Sequence, residues 1–205
     1  MHWATVVTAF ATIFVAELPD KTMIATIVLS ARFKRPFAVW LGSALGLMVQ
    51  VTIATVAGRL LDLLPDRPVK LVVATMFAIG AVLLWRTSAK EDEAVQEEAE
   101  AEIAAAARGA VTDRTMPWQR VSATVFGIVF LAEWGDLTQI ATASLATNGE
   151  ALSVWVGASL AMITVAGIGA AAGQALLRVL PERLLHRIAA VIFGVLAVVF
   201  LISAI

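Results

Sequence analysis

A chain of 205 residues that is 60% hydrophobic and only 15% charged departs from soluble domains, which are about 45–50% apolar and about 25% charged. It contains no cysteine, which excludes disulfides, thiolate metal centres and cysteine nucleophiles, and its two histidines, His2 and His186, lie in no motif, so an imidazole-rich Zn²⁺ or Cu²⁺ site is not expected. The net charge of -1 indicates no partner by itself; the placement of the charges is more informative.

Six apolar segments follow one another, at 4–29, 37–57, 69–86, 119–146, 151–174 and 186–205. Each is about long enough to cross a bilayer as a helix of roughly 20 residues. The start, Met1-His2-Trp3, lacks the basic stretch of a secretory signal, so the first segment reads as a retained span. Trp3, Trp40, Trp85, Trp118 and Trp155 fall near segment ends, where an amphipathic indole prefers the headgroup level; Trp134 does not. Between the third and fourth segments, residues 87–117 carry Lys90, Glu91, Asp92, Glu93, Glu97, Glu98, Glu100 and Glu102, then Gly109 and Pro117. This stretch reads as a solvated linker between a first unit, 1–86, and a second, 118–205. Its acidic side chains also offer a way to concentrate divalent cations near a pore mouth.

The two units repeat. Ala16-Glu17-Leu18-Pro19-Asp20-Lys21-Thr22 matches Ala132-Glu133-Trp134-Gly135-Asp136-Leu137-Thr138 at an offset of 116, and Val39-Trp40-Leu41-Gly42 matches Val154-Trp155-Val156-Gly157 at 115. Three spans is an odd number, so the second copy enters the membrane from the opposite side. The expected fold is all-α: a polytopic membrane protein of six transmembrane helices in two inverted three-helix repeats, with a site near the midplane where they meet. Eleven of the fifteen Lys and Arg residues fall on one side of this scheme and Arg59, Arg67 and Lys70 on the other, which makes the central linker cytoplasmic and both termini external.

Glu17, Asp20, Glu133 and Asp136 interrupt otherwise apolar runs. Each ionisable group costs about 2.5–3.5 kcal/mol at the bilayer centre, on the order of 10 kcal/mol for four, so they are expected to face inward. Glu and Asp three apart share one helix face, so each motif would offer two converging carboxylates. Pro19 and Gly135 hold the same repeat position and both can break a helix, freeing carbonyl oxygens as ligands. Thr22, Thr138 and Gln139 add neutral oxygens, and the all-oxygen set suits Mg²⁺, Ca²⁺ or Mn²⁺. Met23 is a packing residue or a thioether favouring Mn²⁺. Lys21 either neutralises a motif carboxylate or snorkels to an interface. The pairs Gly42/Gly46 and Gly169/Gly173 are expected to permit close helix packing.

Two copies of an acidic Glu-x-Gly-Asp-Lys/Arg-Thr/Ser motif in six spans, with an acidic central loop, resemble the GDT family of cation/proton exchangers of Golgi, chloroplast and bacterial membranes. The resemblance implies Mn²⁺ or Ca²⁺ transport in exchange for protons. It further implies that Glu17, Asp20, Glu133 and Asp136 bind both the cation and the protons, with Thr22, Thr138 and Gln139 assisting. The chain departs from the pattern at Pro19 and at Leu137, which leaves Lys21 as the only motif cation. The partners expected are therefore the bilayer, a divalent cation and protons, with no cofactor and no nucleic acid; the membrane expected is a bacterial-type plasma membrane. Two other readings use the same residues: an intramembrane aspartyl-type hydrolase built on Asp20 and Asp136, and a transporter or channel for another solute. As a plain connector, the linker should tolerate deletion of 91–102 with uptake kinetics unchanged. Slower uptake confined to low metal concentration would instead establish cation focusing.

Overall fold

A computed structural model describes residues 1–18, 21–61, 63–87, 116–147, 150–177 and 182–204; the side chains of Lys21, Thr22, Ile24, Asp66, Thr87, 172–177 and 182–186 lie outside the description. The described residues form helices throughout. In the first unit these are α1 (Trp3–Glu17), α2 (Lys21–Phe33), α3 (Pro36–Leu61) and α4 (Asp66–Thr87). In the second they are α5 (Trp118–Ala132), α6 (Leu137–Ala146), α7 (Ala151–Leu177) and α8 (Glu182–Ala204).

Among the described residues, α3, α4, α7 and α8 are each long and apolar enough to cross a membrane, and α5 with α6 makes one further span bent by 80°. The 15-residue α1 covers only about 22 Å at 1.5 Å per residue, short of a hydrocarbon core of about 30 Å. The first and fourth apolar segments of the sequence are thus each a pair of helices. The linker expectation at 87–117 lies almost wholly outside the described residues.

Local sequence explains the joints. Lys34 adopts a left-handed conformation (φ 52) just past the end of α2, and Pro36 opens α3, where its missing N–H is no loss. Gly135 has φ +83, a region that favours glycine, and it turns the chain between α5 and α6.

The packing partners exchange between the units. Helix α1 packs on α7 as α5 packs on α3, α2 packs on α7 as α6 packs on α3, and the counterparts α3/α7 and α4/α8 pack on each other. The exchange holds at the level of atoms. A Cβ on Gly42 would lie 2.4 Å from the Ser122 carbonyl oxygen of α5; a Cβ on Gly157 would lie 2.3 Å from the Val6 carbonyl oxygen of α1. Ser122 and Val6 are themselves counterparts, 116 apart. Gly46 and Gly169 also sit against backbone, at 3.2 Å from the Phe126 oxygen and 3.3 Å from the Met23 oxygen, while the Gly173 side of its pair lies outside the description.

Trp3, Trp85 and Trp118 are exposed near helix ends, as expected of headgroup anchors. Trp40 and Trp155 do something else. They are half-buried, and their indole N–H groups tie α3 to α7: Trp40 Nε1 donates to the Ile163 carbonyl at 3.2 Å, and Trp155 Nε1 donates to Thr52 Oγ1 at 2.9 Å. Thr52 in turn donates to the Met48 carbonyl, the counterpart of Ile163. The counterpart of Thr52 is Gly167, whose missing side chain lets the Trp40 indole reach the Ile163 carbonyl directly.

The outermost helices, α4 and α8, join through Phe77, which meets Phe193 edge-on at 5.3 Å and stacks on Phe200 at 5.7 Å. Their other faces expose Val72, Ile79, Val82, Val191, Val195 and Ile202. A patch of that kind is what a lipid solvent requires.

Candidate metal centre at the helix breaks

The α5–α6 break places two of the four motif carboxylates. Glu133 follows the last residue of α5, with its N–H bonded to the Val129 oxygen at 3.1 Å. Three residues later Asp136 caps α6: its Oδ2 accepts from Thr138 N at 3.2 Å and from Thr138 Oγ1 at 3.1 Å. An N-cap aspartate satisfies a donor the helix cannot satisfy internally, and the positive end of α6 favours its charge. Gln139 closes the turn from inside α6. Its Nε2 donates to the Glu133 carbonyl and its Oε1 accepts from Gly135 N, both at 3.1 Å.

Glu17 arrives from α1, whose last residue it is. It is fully buried, Glu133 is 4% exposed and Asp136 is partly exposed. One carboxylate oxygen from each of Glu17, Glu133 and Asp136 lies within 4.8 Å of the other two. Oxygens sharing one Ca²⁺ stand at most about 5 Å apart, twice a bond of 2.3–2.6 Å. Three carboxylate oxygens at this spacing form a donor set of the kind a hard divalent cation takes.

The structure corrects one expectation. Glu133 and Asp136 do not share a helix face, because the helix ends between them. They converge because the chain turns at Gly135, which brings the end of α5 and the start of α6 to one point. Of the other residues singled out in the sequence, Thr138 is buried and bonded to Asp136, and Gln139 spans the break. Asp20 and the side chains of Lys21 and Thr22 lie outside the described residues. Met23 is buried in an apolar cluster with Leu18, Ile27 and Val165.

One residue at the break went unread in the sequence. Gln50 of α3 is 1% exposed, and its Nε2 donates to the Phe130 carbonyl of α5 at 2.6 Å. In an unbroken helix that carbonyl would accept from Trp134 N, which instead bonds to the Leu131 oxygen. The available signal was a lone amide in an apolar run whose repeat counterpart, Val165, is aliphatic.

Comparison with known proteins gives a consistent result. The family model for the divalent cation/proton antiporter GDT1 matches residues 5–92 and 121–205. The chain is 33% identical over 190 residues to a GDT1-like protein of Synechocystis, covering 91% of each chain. It is 31% identical over 201 residues to GDT1-like protein 3 of Oryza sativa subsp. indica, covering 94% of this chain and 70% of the relative. It is also 31% identical over 206 residues to the chloroplastic protein PAM71 of Arabidopsis thaliana, covering 94% of this chain and 54% of the relative. No solved structure matches.

Proposed function

The chain belongs to the divalent cation/proton antiporter family GDT1, and from that premise we propose that it exports Mn²⁺ or Ca²⁺ in exchange for protons, by alternating access at one site shared between the two breaks. Family membership makes it a multi-pass membrane transporter of divalent cations and not an enzyme, so the aspartyl-hydrolase reading falls. The observation that carries the finer reading is the convergence of Glu17, Glu133 and Asp136 within 4.8 Å.

In this reading the deprotonated carboxylates of Glu17, Asp20, Glu133 and Asp136 take the cation, and protons arriving from the other side displace it. Thr22, Thr138 and Gln139 assist with neutral oxygens, and Lys21 is the charge partner of the first motif. The oxygen donors favour a hard cation, and PAM71 and the GDT1-like relatives place the chain among similar proteins. The membrane is a bacterial-type plasma membrane, with the linker cytoplasmic and both termini outside; cytoplasmic access to a C-terminal tag would reverse the orientation.

Proteoliposomes test the function directly. Mn²⁺ or Ca²⁺ flux should rise with an opposing pH gradient and collapse when the gradient is dissipated. Flux indifferent to the gradient would make the protein a channel. Thr138→Val keeps the shape of the side chain and removes the hydroxyl that donates to Asp136. It should weaken cation affinity by about 10-fold, in the range for groups that orient metal ligands, with the thermal transition near that of the wild type.

A further inference from the structure

The two halves of the site are not chemically equal. On the α1–α2 side, Leu18, Met23, Ile27 and Val165 form a buried apolar cluster with Phe14 packed against it. Their exposures are 8% or less for all four core members. The repeat offsets map these five onto Trp134, Gln139, Ala143, Gln50 and Phe130. The counterpart set contains two amides, and it is open: Trp134 is 62% exposed where Leu18 is 8% exposed, and Gln139 and Ala143 are partly exposed where Met23 and Ile27 are buried. The amides hold polar backbone at the break, Gln50 on the Phe130 carbonyl and Gln139 on the Glu133 carbonyl. Gln50 Oε1 is buried and has no hydrogen-bond partner among the described residues. A buried amide oxygen in that condition calls for water or a cation.

The α2 and α6 members lead away from the carboxylates to opposite ends of α3: α2 runs into the start of α3, and α6 passes its far end, where a Cβ on Gly58 would lie 2.2 Å from the Ala143 oxygen. Helix α2 leaves the acidic cluster toward Arg32, Lys34 and Arg35. Helix α6 leaves it toward the loop where Glu150 Oε1 meets His2 Nε2 at 3.2 Å and Ser153 Oγ accepts from His2 N at 3.0 Å. Apolar side chains that close on one another exclude water, and a hydrated divalent ion does not cross a dewetted constriction.

We propose that Leu18, Met23, Ile27 and Val165 form a dry gate on the arginine-rich side of the carboxylates, and that Gln139 lines the path by which the hydrated cation reaches them from the other side. The inference deepens the transport reading above and rests on it for the identity of the ion. Polarity, and not only the current conformation, makes the two paths different, because Gln139 has the thioether of Met23 as its counterpart. The gate side is therefore the one that conducts only while the helices have moved apart.

The natural absence of cysteine makes the test direct. Single variants Leu18→Cys, Met23→Cys, Trp134→Cys and Gln139→Cys are made in the full chain and reconstituted. A membrane-impermeant, positively charged thiol reagent is then applied to each face in turn, in metal-free buffer. Cysteines at 134 and 139 should react from the face opposite the arginine-rich one. Those at 18 and 23 should react about 100-fold more slowly from either face, the factor for a gate open about 1% of the time. Adding Val165→Gln, which imports the counterpart residue, should raise the reactivity of the cysteine at 18 at least about tenfold from the arginine-rich face. Cysteines at 18 and 23 that react as fast as those at 134 and 139, or a cysteine at 134 that does not react, would overturn the gate. The labelling needs no transport, so this pattern in a chain that moves no Mn²⁺ or Ca²⁺ upholds the gate while sinking the transport reading.

Discussion

Glu133→Gln should lower divalent-cation flux by more than about 100-fold while leaving the protein at least as stable as the wild type in metal-free buffer. Groups that merely orient metal ligands are worth about 10- to 100-fold, and Glu133 stands among the three carboxylates themselves. The stability half separates this site from a structural network. Breaking a buried ion pair costs about 3–5 kcal/mol because a charge is left uncompensated. A carboxylate gathered with two others also repels its neighbours, and a neutral amide of the same shape relieves that repulsion. Glu17→Gln should lower the flux to the same degree, since its carboxylate stands in the same cluster. The measurements are cation flux in proteoliposomes and thermal unfolding of the purified variants without metal. A clear drop in melting temperature in both variants would return the cluster to a structural role.

That prediction depends on a point the sequence resolves only halfway. The carboxylates, their repetition and the helix-breaking residues between them are all legible, because intramembrane charge is costly and Pro and Gly have fixed backbone consequences. What spacing alone does not settle is whether Glu133 and Asp136 meet across one helix face or across a broken helix. Both bring them close. The left-handed turn at Gly135 decides it, and the decision matters, since Asp136 then becomes the cap of α6 instead of a residue within a helix. Gln50 was invisible for a different reason. Its partner is a backbone carbonyl 80 residues away that is freed only once α5 ends. Trp40 and Trp155 illustrate the same limit: indoles near segment ends suit a headgroup layer, but their N–H groups are used by the crossing of α3 and α7.

Gly157→Val should cost more than about 3 kcal/mol and lower the melting temperature by about 10 °C. The obstacle is the Val6 backbone oxygen, 2.3 Å from where a Cβ would stand, and no side-chain rotation relieves it; helix α1 must move away from α7. Gly42→Val should fail to a similar degree, because its Cβ would stand 2.4 Å from the Ser122 oxygen and would push α5 off α3 in the same manner. Gly127→Ala is the control: nothing lies within 4 Å of that Cβ, and removing a glycine from a helix interior stabilises by about 0.5–1 kcal/mol. The loss reaches the chemistry, since α1 delivers Glu17 and α5 leads into Glu133. Displacing either helix separates the carboxylates of the proposed site, so residual folded protein of either valine variant should also bind Mn²⁺ weakly. Equal defects from Gly157→Val and Gly42→Val would show that the two crossings bear on one site from both repeats. A large defect from only one would mean that the other crossing yields without disturbing it.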